Sequence, residues 1–438
     1  MIRGRRAILV LLTALNFLNF IDRAVIAAVL KPMTEQLDLS NAQAGALNTA
    51  FLIGYFLTCP LFGARADKGV RKRMIALGVL IWSAATVASG LATGFWTLLA
   101  ARIVVGVGEA SFAVLAPTII DDITPAERKG SALSVFYLAV PLGYALGYIF
   151  GGQIAKQWEA HMGHDLIAGW RASFLLVGGP GIALALTCLA IAEPSRKLLH
   201  AQARLIDGLR ELARIPQLRR GVLGYCAFTA AVAGFSYYAP SFVQNQFKGL
   251  DVGSANLWFG VVLIAGGTLG TLIGGRYANR ALSRNGVTHD TPHDAPNNRR
   301  AVNALLKICA IGMAVAAPVS LIGFFLPRPL AFFLVSFVVD TALFVTTSPV
   351  SIVCLRSVPS ERRASAIAAQ IFAIHLFGDL WSAPLLGVLL DHLDPRIAMT
   401  SLPLTFAWAV YIWWPRHREA GPAAGAGGLP EARVHPAT

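Results

Sequence analysis

Pro125-Ala-Glu-Arg-Lys-Gly-Ser-Ala132 and Pro359-Ser-Glu-Arg-Arg-Ala-Ser-Ala366 are two copies of one loop sequence. Each copy follows a long apolar run. A second, less exact pair consists of Gly63-Ala-Arg-Ala-Asp67-Lys68 and Gly275-Arg-Tyr-Ala-Asn279-Arg280, in which Asn279 stands where the first copy has Asp67. Loops that recur at equivalent places indicate two related halves, and transporters are commonly built from such repeats.

Outward from these loops, apolar runs alternate with charged or Pro/Gly-rich breaks. Of the 438 residues, 55% are hydrophobic and 14% are charged, whereas soluble domains usually carry about 25% charged residues. Because a bilayer crossing takes roughly 20 residues, the chain has room for about twelve membrane helices. The predicted spans are 7–30, 42–64, 74–93, 95–120, 130–155, 170–191, 221–244, 254–276, 302–325, 329–354, 364–390 and 396–414. The fold class is therefore an all-α membrane protein with two six-helix halves.

The basic residues, which give a formal net charge of +14, are concentrated on alternate loops. One side holds the N-terminal arginines, the cluster at 65–73, Arg128 and Lys129, and the arginines of 196–220, while few lie on the other side. Basic loops mark the cytoplasmic side of membrane proteins. We therefore predict a multi-pass protein of the cell (inner) membrane with both termini in the cytoplasm. The same distribution accounts for the charge without any nucleic-acid partner.

The repeats divide the chain into four predicted regions. These are an N-terminal six-helix bundle at 1–195, a cytoplasmic amphipathic linker at 196–220, a C-terminal six-helix bundle at 221–415 and a disordered tail at 416–438. Leucines at helical spacing among arginines in the linker are typical of a helix on a membrane surface. Residues 281–300 also read as disordered. All five cysteines lie in apolar runs, so we expect no disulfide and no metal site. Separately, we expect the protein to be a monomer.

Two predicted spans carry polar residues that lipid disfavours by roughly 2.5–3.5 kcal/mol for each ionisable group. At about 100° per residue, each set falls on one stripe of its helix. The first stripe is Asn16, Asn19, Asp22 and Arg23. The second is Arg102, Gly106 and Glu109. If the stripes face each other, two carboxylates and two guanidiniums share one cavity.

Such a cluster can couple protons to a substrate. We predict Glu109 and Asp22 as proton sites, because a guanidinium stabilises a neighbouring carboxylate and its capture by a substrate phosphate would let the carboxyl take a proton. Arg23 and Arg102, with Asn19, are the predicted substrate-binding residues, since guanidinium donors match phosphate and carboxylate. The alternative is that Asp22–Arg23 and Arg102–Glu109 are structural ion pairs.

Further candidates lie on other spans. Tyr137 and Tyr148 share a face of span 5 and, with Tyr237 on span 7, are predicted to line the substrate cavity; plain packing is an equally good explanation. His375 and Asp379 stand four residues apart on span 11. His375 is a candidate second proton relay, because histidine titrates near physiological pH, and a His–Asp pair without a transport role is the alternative.

The sequence resembles the major facilitator superfamily. The residues that carry this resemblance are Gly63-x-x-x-Asp67-Lys68-Gly69-x-Arg71-Lys72-Arg73 and Arg102-x-x-x-Gly106-x-Gly108-Glu109. Within the superfamily it resembles the spinster family of lysolipid and sphingosine-phosphate transporters, through Asn16-Phe-Leu-Asn19-Phe-Ile-Asp22-Arg23 and Ala116-Pro117-Thr118. The resemblance implies proton-linked movement of an amphipathic lipid with a charged head. It also implies that the loop with Asp67, Lys68 and Arg71, near Asp122, gates the transporter.

These expectations define the predicted function: a proton-coupled secondary transporter that moves a lysophospholipid or sphingolipid-like amphiphile by alternating access. Its partners would be that lipid, protons and the bilayer, and it would use the proton gradient and no cofactor. The alternative is a proton-coupled multidrug or small organic anion transporter of the same fold. An intramembrane enzyme is disfavoured, because no metal-ligand cluster or Ser–His–Asp grouping lies at workable positions in the sequence.

Overall fold

The computed structural model describes residues 4–66, 70–125, 129–162, 167–192, 205–288, 291–359 and 362–415. Regular secondary structure within these ranges is entirely helical. The spans of the first half are α1 Arg5–Ala28, α2 Asn41–Ala66, α3 Arg71–Gly90, α4 Phe95–Ile123, α5 Lys129–Met162 and α6 Gly169–Leu189. A short helix, Leu30–Leu37, connects α1 to α2.

The second half repeats this plan with two interrupted helices. Its spans are α7 Pro216–Gln246, α8 Val252–Arg284, α9 Pro296–Gly323, α10 Pro329–Phe344 with Thr347–Arg356, α11 Arg363–Ile374 with Leu380–His392, and α12 Ser401–Trp413. The two parts of α11 are joined by a π-helical turn, His375–Asp379. Ten helices of the described ranges are long and apolar enough to cross a membrane. With α2 and α12 the count is twelve, so the predicted fold class is confirmed.

Helix starts follow ordinary capping chemistry. Pro216, Pro296 and Pro329 occupy the first turns of α7, α9 and α10, where a missing N–H costs nothing and the fixed φ suits the helix. Asp251 caps α8, its carboxylate accepting a hydrogen bond from the Ser254 amide at 2.9 Å. These starts set where each span enters the bundle.

Small residues bring α1 and α5 into close contact. A Cβ on Gly147 would lie 2.6 Å from the Ala24 Cβ, and one on Gly143 would lie 2.6 Å from the Phe20 Cβ. Glycine stripes allow membrane helices to approach this closely. The two halves meet where α5 packs against α8 and α2 packs against α11. The cavity described below lies between these contacts.

The segment between α8 and α9 corrects one expectation. Residues 281–300 were expected to be disordered, yet α8 continues to Arg284 and α9 begins at Pro296. The Asn298 amide, which is fully buried, donates to the backbone oxygens of His293 and Arg356. These buried hydrogen bonds order a segment whose composition alone is typical of disorder.

The linker contains a helix, Leu205–Arg214, in its described part. Leu212 packs beside an apolar cluster of the second half that includes Val222 and Val358, and Glu211 forms an ion pair with Arg362. At Leu212, the apolar side of this helix therefore packs against the second half of the protein. The predicted tail, 416–438, lies outside the described residues.

Candidate substrate cavity

A cavity of about 500 Å³ lies between the two halves. The first half supplies a polar wall that includes Arg23, Arg102, Tyr144 and Tyr148. The second half supplies a mostly apolar wall that also carries Asp340, His375 and Asp379. Its phenylalanines are Phe235, Phe259, Phe324, Phe332, Phe344 and Phe406. The cavity therefore has its arginines on the wall of the first half and its largest apolar surface on the wall of the second half.

The two polar stripes face each other, as the sequence analysis required for a shared cluster. The Arg23 Nε lies 2.6 Å from the Glu109 Oε2, and the Glu109 side chain is completely buried. Asp22 and Arg102 are buried beside them. Asn19 completes the group next to the Glu109 carboxyl. The structure thus brings α1 and α4 together through their ionisable residues.

Aromatic rings hold both guanidinium groups. The Arg23 Cζ lies 4.9 Å from the Phe20 ring centre, 5.0 Å from that of Phe51 and 5.2 Å from that of Tyr55. The Arg102 Cζ lies 5.1 Å from the same Phe51 ring. Cation–π contacts stabilise a guanidinium without using its N–H donors. Among the described residues the Arg102 Nε has no hydrogen-bond partner, so a donor remains for a ligand.

The observed ion pair is neither of the two structural pairs that the sequence suggested as an alternative. Neither Asp22–Arg23 nor Arg102–Glu109 is an ion pair within the described ranges; the pair is Arg23–Glu109. Adjacent helical residues point about 100° apart, which separates Asp22 from Arg23. Asp22 turns away from the cavity and accepts a hydrogen bond from the Thr86 hydroxyl of α3 at 3.2 Å.

The predicted tyrosines divide into two groups. Tyr148 and Tyr237 line the cavity, and their hydroxyls donate to the backbone oxygens of Ser236 and Ala44, each at 2.7 Å. Tyr137 does not line it: its side chain is half exposed on the outside of the bundle, and that expectation is corrected. Tyr148 lines the cavity as expected, together with Tyr144 one turn before it on α5, but the cavity does not reach Tyr137.

His375 and Asp379 form the pair that their spacing suggested. The His375 Nδ1 lies 2.8 Å from the Asp379 Oδ2, and both residues line the cavity. They are the first and last residues of the π-helical turn of α11. Single π-helical turns inside α-helices are frequent at functional sites, but no pattern in the sequence predicted this one. The His375 ring also contacts Phe56 of α2, at 5.5 Å between ring centres.

The predicted gate residues are only partly described. Arg71 at the start of α3 and Asp122 at the end of α4 form a nearly buried ion pair of 2.7 Å. Arg71 also donates to the Thr118 hydroxyl at 3.1 Å. Asp67 and Lys68 lie outside the described residues. The ion pair joins two helices at the end of the bundle where α1 begins.

Contacts at the opposite end, which the sequence analysis missed, join the two halves. The Asp391 carboxylate, at the end of α11, accepts hydrogen bonds from the backbone amides of Asn41 and Ala42 and from the Asn41 side chain, at 2.8–2.9 Å. It thus caps the N-terminus of α2, where a negative charge is favourable. The only feature of the sequence that pointed to this contact was an acidic residue at the end of a predicted span.

A second contact at that end is the ion pair of Lys156 and Asp251, at 3.1 Å. Burial by itself raises the pKa of Asp251, but hydrogen bonds from Ser254 and Lys156 outweigh it and lower the pKa. The carboxylate therefore stays charged at neutral pH. Together with Asp391, it holds the halves in contact at the end away from the N-terminus.

Comparison with known proteins identifies the family. Residues 12–378 match the Major Facilitator Superfamily. The human protein spinster homolog 1 is 30% identical over 415 residues, which cover 89% of this chain and 74% of that protein. The chain belongs to the spinster family of the major facilitator superfamily. This spinster-family protein is thus a multi-pass membrane transporter, and the predicted family is confirmed.

Other relatives agree. The probable sphingolipid transporter spinster homolog 2 of Arabidopsis thaliana is 29% identical, over 93% of this chain and 86% of that protein. A crystal structure of a bacterial homolog to the human lysosomal transporter spinster, in an inward-facing and unoccupied conformation, has a TM-score of 0.81. It is 23% identical and covers 94% of this chain and 97% of its own. The last match supports the fold of the spinster-family chain.

Proposed function

We propose that this spinster-family transporter moves a lysophospholipid or sphingolipid-like amphiphile, coupled to protons, by alternating access between its two halves. The observation that carries the proposal is the cavity, with two guanidinium groups on the wall of the first half and a broad apolar surface, rich in phenylalanine, on the wall of the second half. An amphiphile has the same division between a charged head and an apolar chain. The name of the Arabidopsis relative, a probable sphingolipid transporter, supports the same substrate class.

The head group would bind at Arg23 and Arg102. Both line the cavity, and their guanidinium groups present forked donors that suit phosphate oxygens. The acyl chain would extend along the aromatic wall of the second half. Its apolar area favours a lipid over a small organic anion, because a soluble anion would leave Phe235, Phe259 and Phe332 without an apolar ligand.

Proton coupling would follow from the competition for Arg23. The Arg23 Nε lies 2.6 Å from the Glu109 Oε2. A substrate phosphate that takes over the Arg23 donors would leave Glu109 as an unpaired buried charge, which is strongly unfavourable. Glu109 would then bind a proton, and Asp22 and His375 are the further proton sites of this proposal.

Alternating access would begin from the state described here, which we take to be open toward the cytoplasm. Among the described residues, the hydrogen bonds between the halves lie mostly at the end away from the N-terminus, around Asn41, Asp251 and Asp391. The basic loops at the other end mark it as cytoplasmic in the usual charge distribution. The protein would lie in the inner membrane of the cell. Both termini would therefore face the cytoplasm.

The decisive experiment measures flux into proteoliposomes under an imposed proton gradient. Lysophosphatidylcholine, lysophosphatidylglycerol and sphingosine phosphate would be compared with a soluble organic anion. We expect lipid flux that collapses with a protonophore. Arg23→Gln should weaken it by about tenfold or more, since a hydrogen bond to a charged group is worth about 1.5–3 kcal/mol.

The matched control is Arg328→Gln, which removes the same charge at an exposed position and should leave lipid flux unchanged. Transport of the organic anion without any lipid would contradict the proposal and favour the small-anion alternative. Lipid flux that ignores the proton gradient would retain the substrate class and reject the coupling.

A further inference from the structure

Asp340 lies in α10 and lines the cavity from the second half. Its Oδ2 atom is buried and has no hydrogen-bond partner among the described residues. The other acids near the cavity each have a side-chain partner. Glu109 pairs with Arg23 and Asp379 pairs with His375. Asp22, which does not line the cavity, accepts a hydrogen bond from Thr86. Among the described residues, Asp340 is therefore the cavity-lining acid without an ion-pair partner.

The unpaired oxygen rests against glycine. A Cβ added to Gly266 of α8 would lie 2.7 Å from the Asp340 Oδ2. The carboxyl therefore fills a notch at Gly266 and Gly267, and any side chain at the first of these positions would displace it. The absence of a side chain there is what allows the carboxyl to be buried.

The helices packed against this part of α10 bring no charge to it. On α8 the cavity-lining residues are the uncharged Phe259, Val262, Leu263 and Thr271. The first cation of that helix is Arg276, about 15 Å along the axis from Gly266. On α9 the facing residues are Ser320 and Gly323. Within the described part of the chain, no charged side chain interacts with the Asp340 carboxyl.

A carboxylate in this place would be an uncompensated charge away from bulk water. Removing an ion from water costs several kcal/mol unless a counter-charge or hydrogen bonds replace the lost solvation. Within the described ranges Asp340 has no counter-charge, and the backbone of Gly267 is the one hydrogen-bond partner of its carboxyl, so the lost solvation is replaced only in part. A bound proton removes the charge and needs no further partner.

We propose that Asp340 is an additional proton-binding site, on α10 of the C-terminal half, which holds a proton while its carboxyl is packed in the glycine notch of α8. The site exchanges this proton with the cavity, since the residue lines the cavity wall. The protonation itself is independent of the proposed function, and only its role in coupling rests on that function.

Infrared spectroscopy tests the protonation directly. The purified transporter at neutral pH should show a C=O stretching band of a protonated carboxylic acid that is missing in Asp340→Asn. Ser336→Ala, one helical turn away on the same cavity wall, should keep the band. A difference spectrum between wild type and Asp340→Asn without this band would overturn the proposal.

Thermal stability provides an independent readout. Asparagine closely resembles a protonated aspartic acid in shape and charge, so Asp340→Asn should retain the wild-type Tm. Gly266→Ala should lower the Tm and shift the infrared band, because its Cβ enters the notch. A marked loss of stability in Asp340→Asn would indicate a carboxylate that is charged and bound to a cation, and would contradict the proposal.

The transport measurement separates this proposal from the proposed function. If the wild type couples protons to lipid, Asp340→Asn should move one proton fewer in each cycle while counterflow exchange continues. An unchanged proton count in that variant would reject the coupling role of Asp340. If the wild type shows no coupling at all, the proposed function fails while the infrared result still decides the protonation.

Discussion

The Arg23 guanidinium has two kinds of neighbours, one carboxylate and three aromatic rings. The carboxylate is that of Glu109, at 2.6 Å, and the rings are those of Phe20, Phe51 and Tyr55. The rings compensate part of the desolvation of the guanidinium. Glu109 is thus the partner that a substrate anion would replace. The chemistry of coupling, on this view, depends on a single ion pair.

Glu109→Gln should abolish gradient-driven uptake of a lysolipid while binding of the lipid remains detectable. Glutamine keeps a carbonyl acceptor for the Arg23 Nε but cannot take up a proton. Flux in proteoliposomes and lipid binding by intrinsic fluorescence would be measured on the same preparation. The control is Glu35→Gln, the same change at an exposed glutamate. Normal pH-dependent transport in Glu109→Gln would reject the assignment.

Asp122→Asn should lower the Tm, because breaking a buried ion pair typically costs about 3–5 kcal/mol. Arg71 and Asp122 are nearly buried and lie 2.7 Å apart. A double-mutant cycle with Arg71→Leu and Asp122→Leu should show a coupling energy between the two positions. Glu35→Gln, in an exposed pair with Lys31 at 4.0 Å, should change stability by less than about 1 kcal/mol. Additive effects of the two leucine variants would contradict an energetically important pair.

Two local features of the helices shape the cavity. Glycines on α5 let α1 approach it, which places the Arg23 stripe against the cavity wall. The π-helical turn of α11 places His375 and Asp379 together on that wall. Both features change which side chains face the interior. They act through the geometry of one helix or one helix pair.

Gly147→Ala should destabilise the protein by about 1–3 kcal/mol, the usual cost of overpacking. Its Cβ would meet the Ala24 Cβ at 2.6 Å and the Ile21 backbone oxygen at 2.8 Å. Gly179→Ala is the matched control, since a Cβ there meets nothing within 4 Å. Thermal unfolding in detergent would compare them. Equal Tm values for the two variants would mean that the α1–α5 contact can relax without cost.

The two halves are joined asymmetrically along the bundle axis. At the end away from the N-terminus, the Asp391 carboxylate accepts three hydrogen bonds from the start of α2, and Lys156 pairs with Asp251. Toward the other end, the described contacts between halves include the rings of Phe56 and Phe372, at 5.8 Å. Polar contacts therefore favour closure at one end. A change of state has to break them.

Asp391→Asn should shift the conformational equilibrium away from the state closed at this end, by about tenfold or more. Hydrogen bonds to a charged acceptor are each worth about 1.5–3 kcal/mol, and about 1.4 kcal/mol is tenfold in an equilibrium. Spin labels at Glu35 and His392 would report the separation of the halves. The control is Asp394→Asn, whose carboxylate accepts a hydrogen bond from the Arg396 amide within its own half. An unchanged distance distribution in Asp391→Asn would show that its capping bonds do not hold the halves.

Much of the architecture could be predicted from local sequence. The apolar runs determined the number of spans, because each must be long enough to cross the bilayer. The repeated loops determined the two halves, and the polar stripes of α1 and α4 identified the buried ionisable cluster, from which Arg23 and Arg102 line the cavity. Composition wrongly predicted disorder at 281–300, where the buried Asn298 amide orders a polar segment.

The tertiary structure decided the pairing of these residues. Helical periodicity fixes which residues share a face, but the rotation and depth of each helix depend on every neighbour that packs against it. Only the folded chain could therefore pair Glu109 with Arg23, direct Asp22 to Thr86 and leave Tyr137 outside. Contacts across the halves, such as Asp391 with Asn41, join residues 350 positions apart in sequence. No local pattern contains that information, because it arises from the packing of the whole molecule.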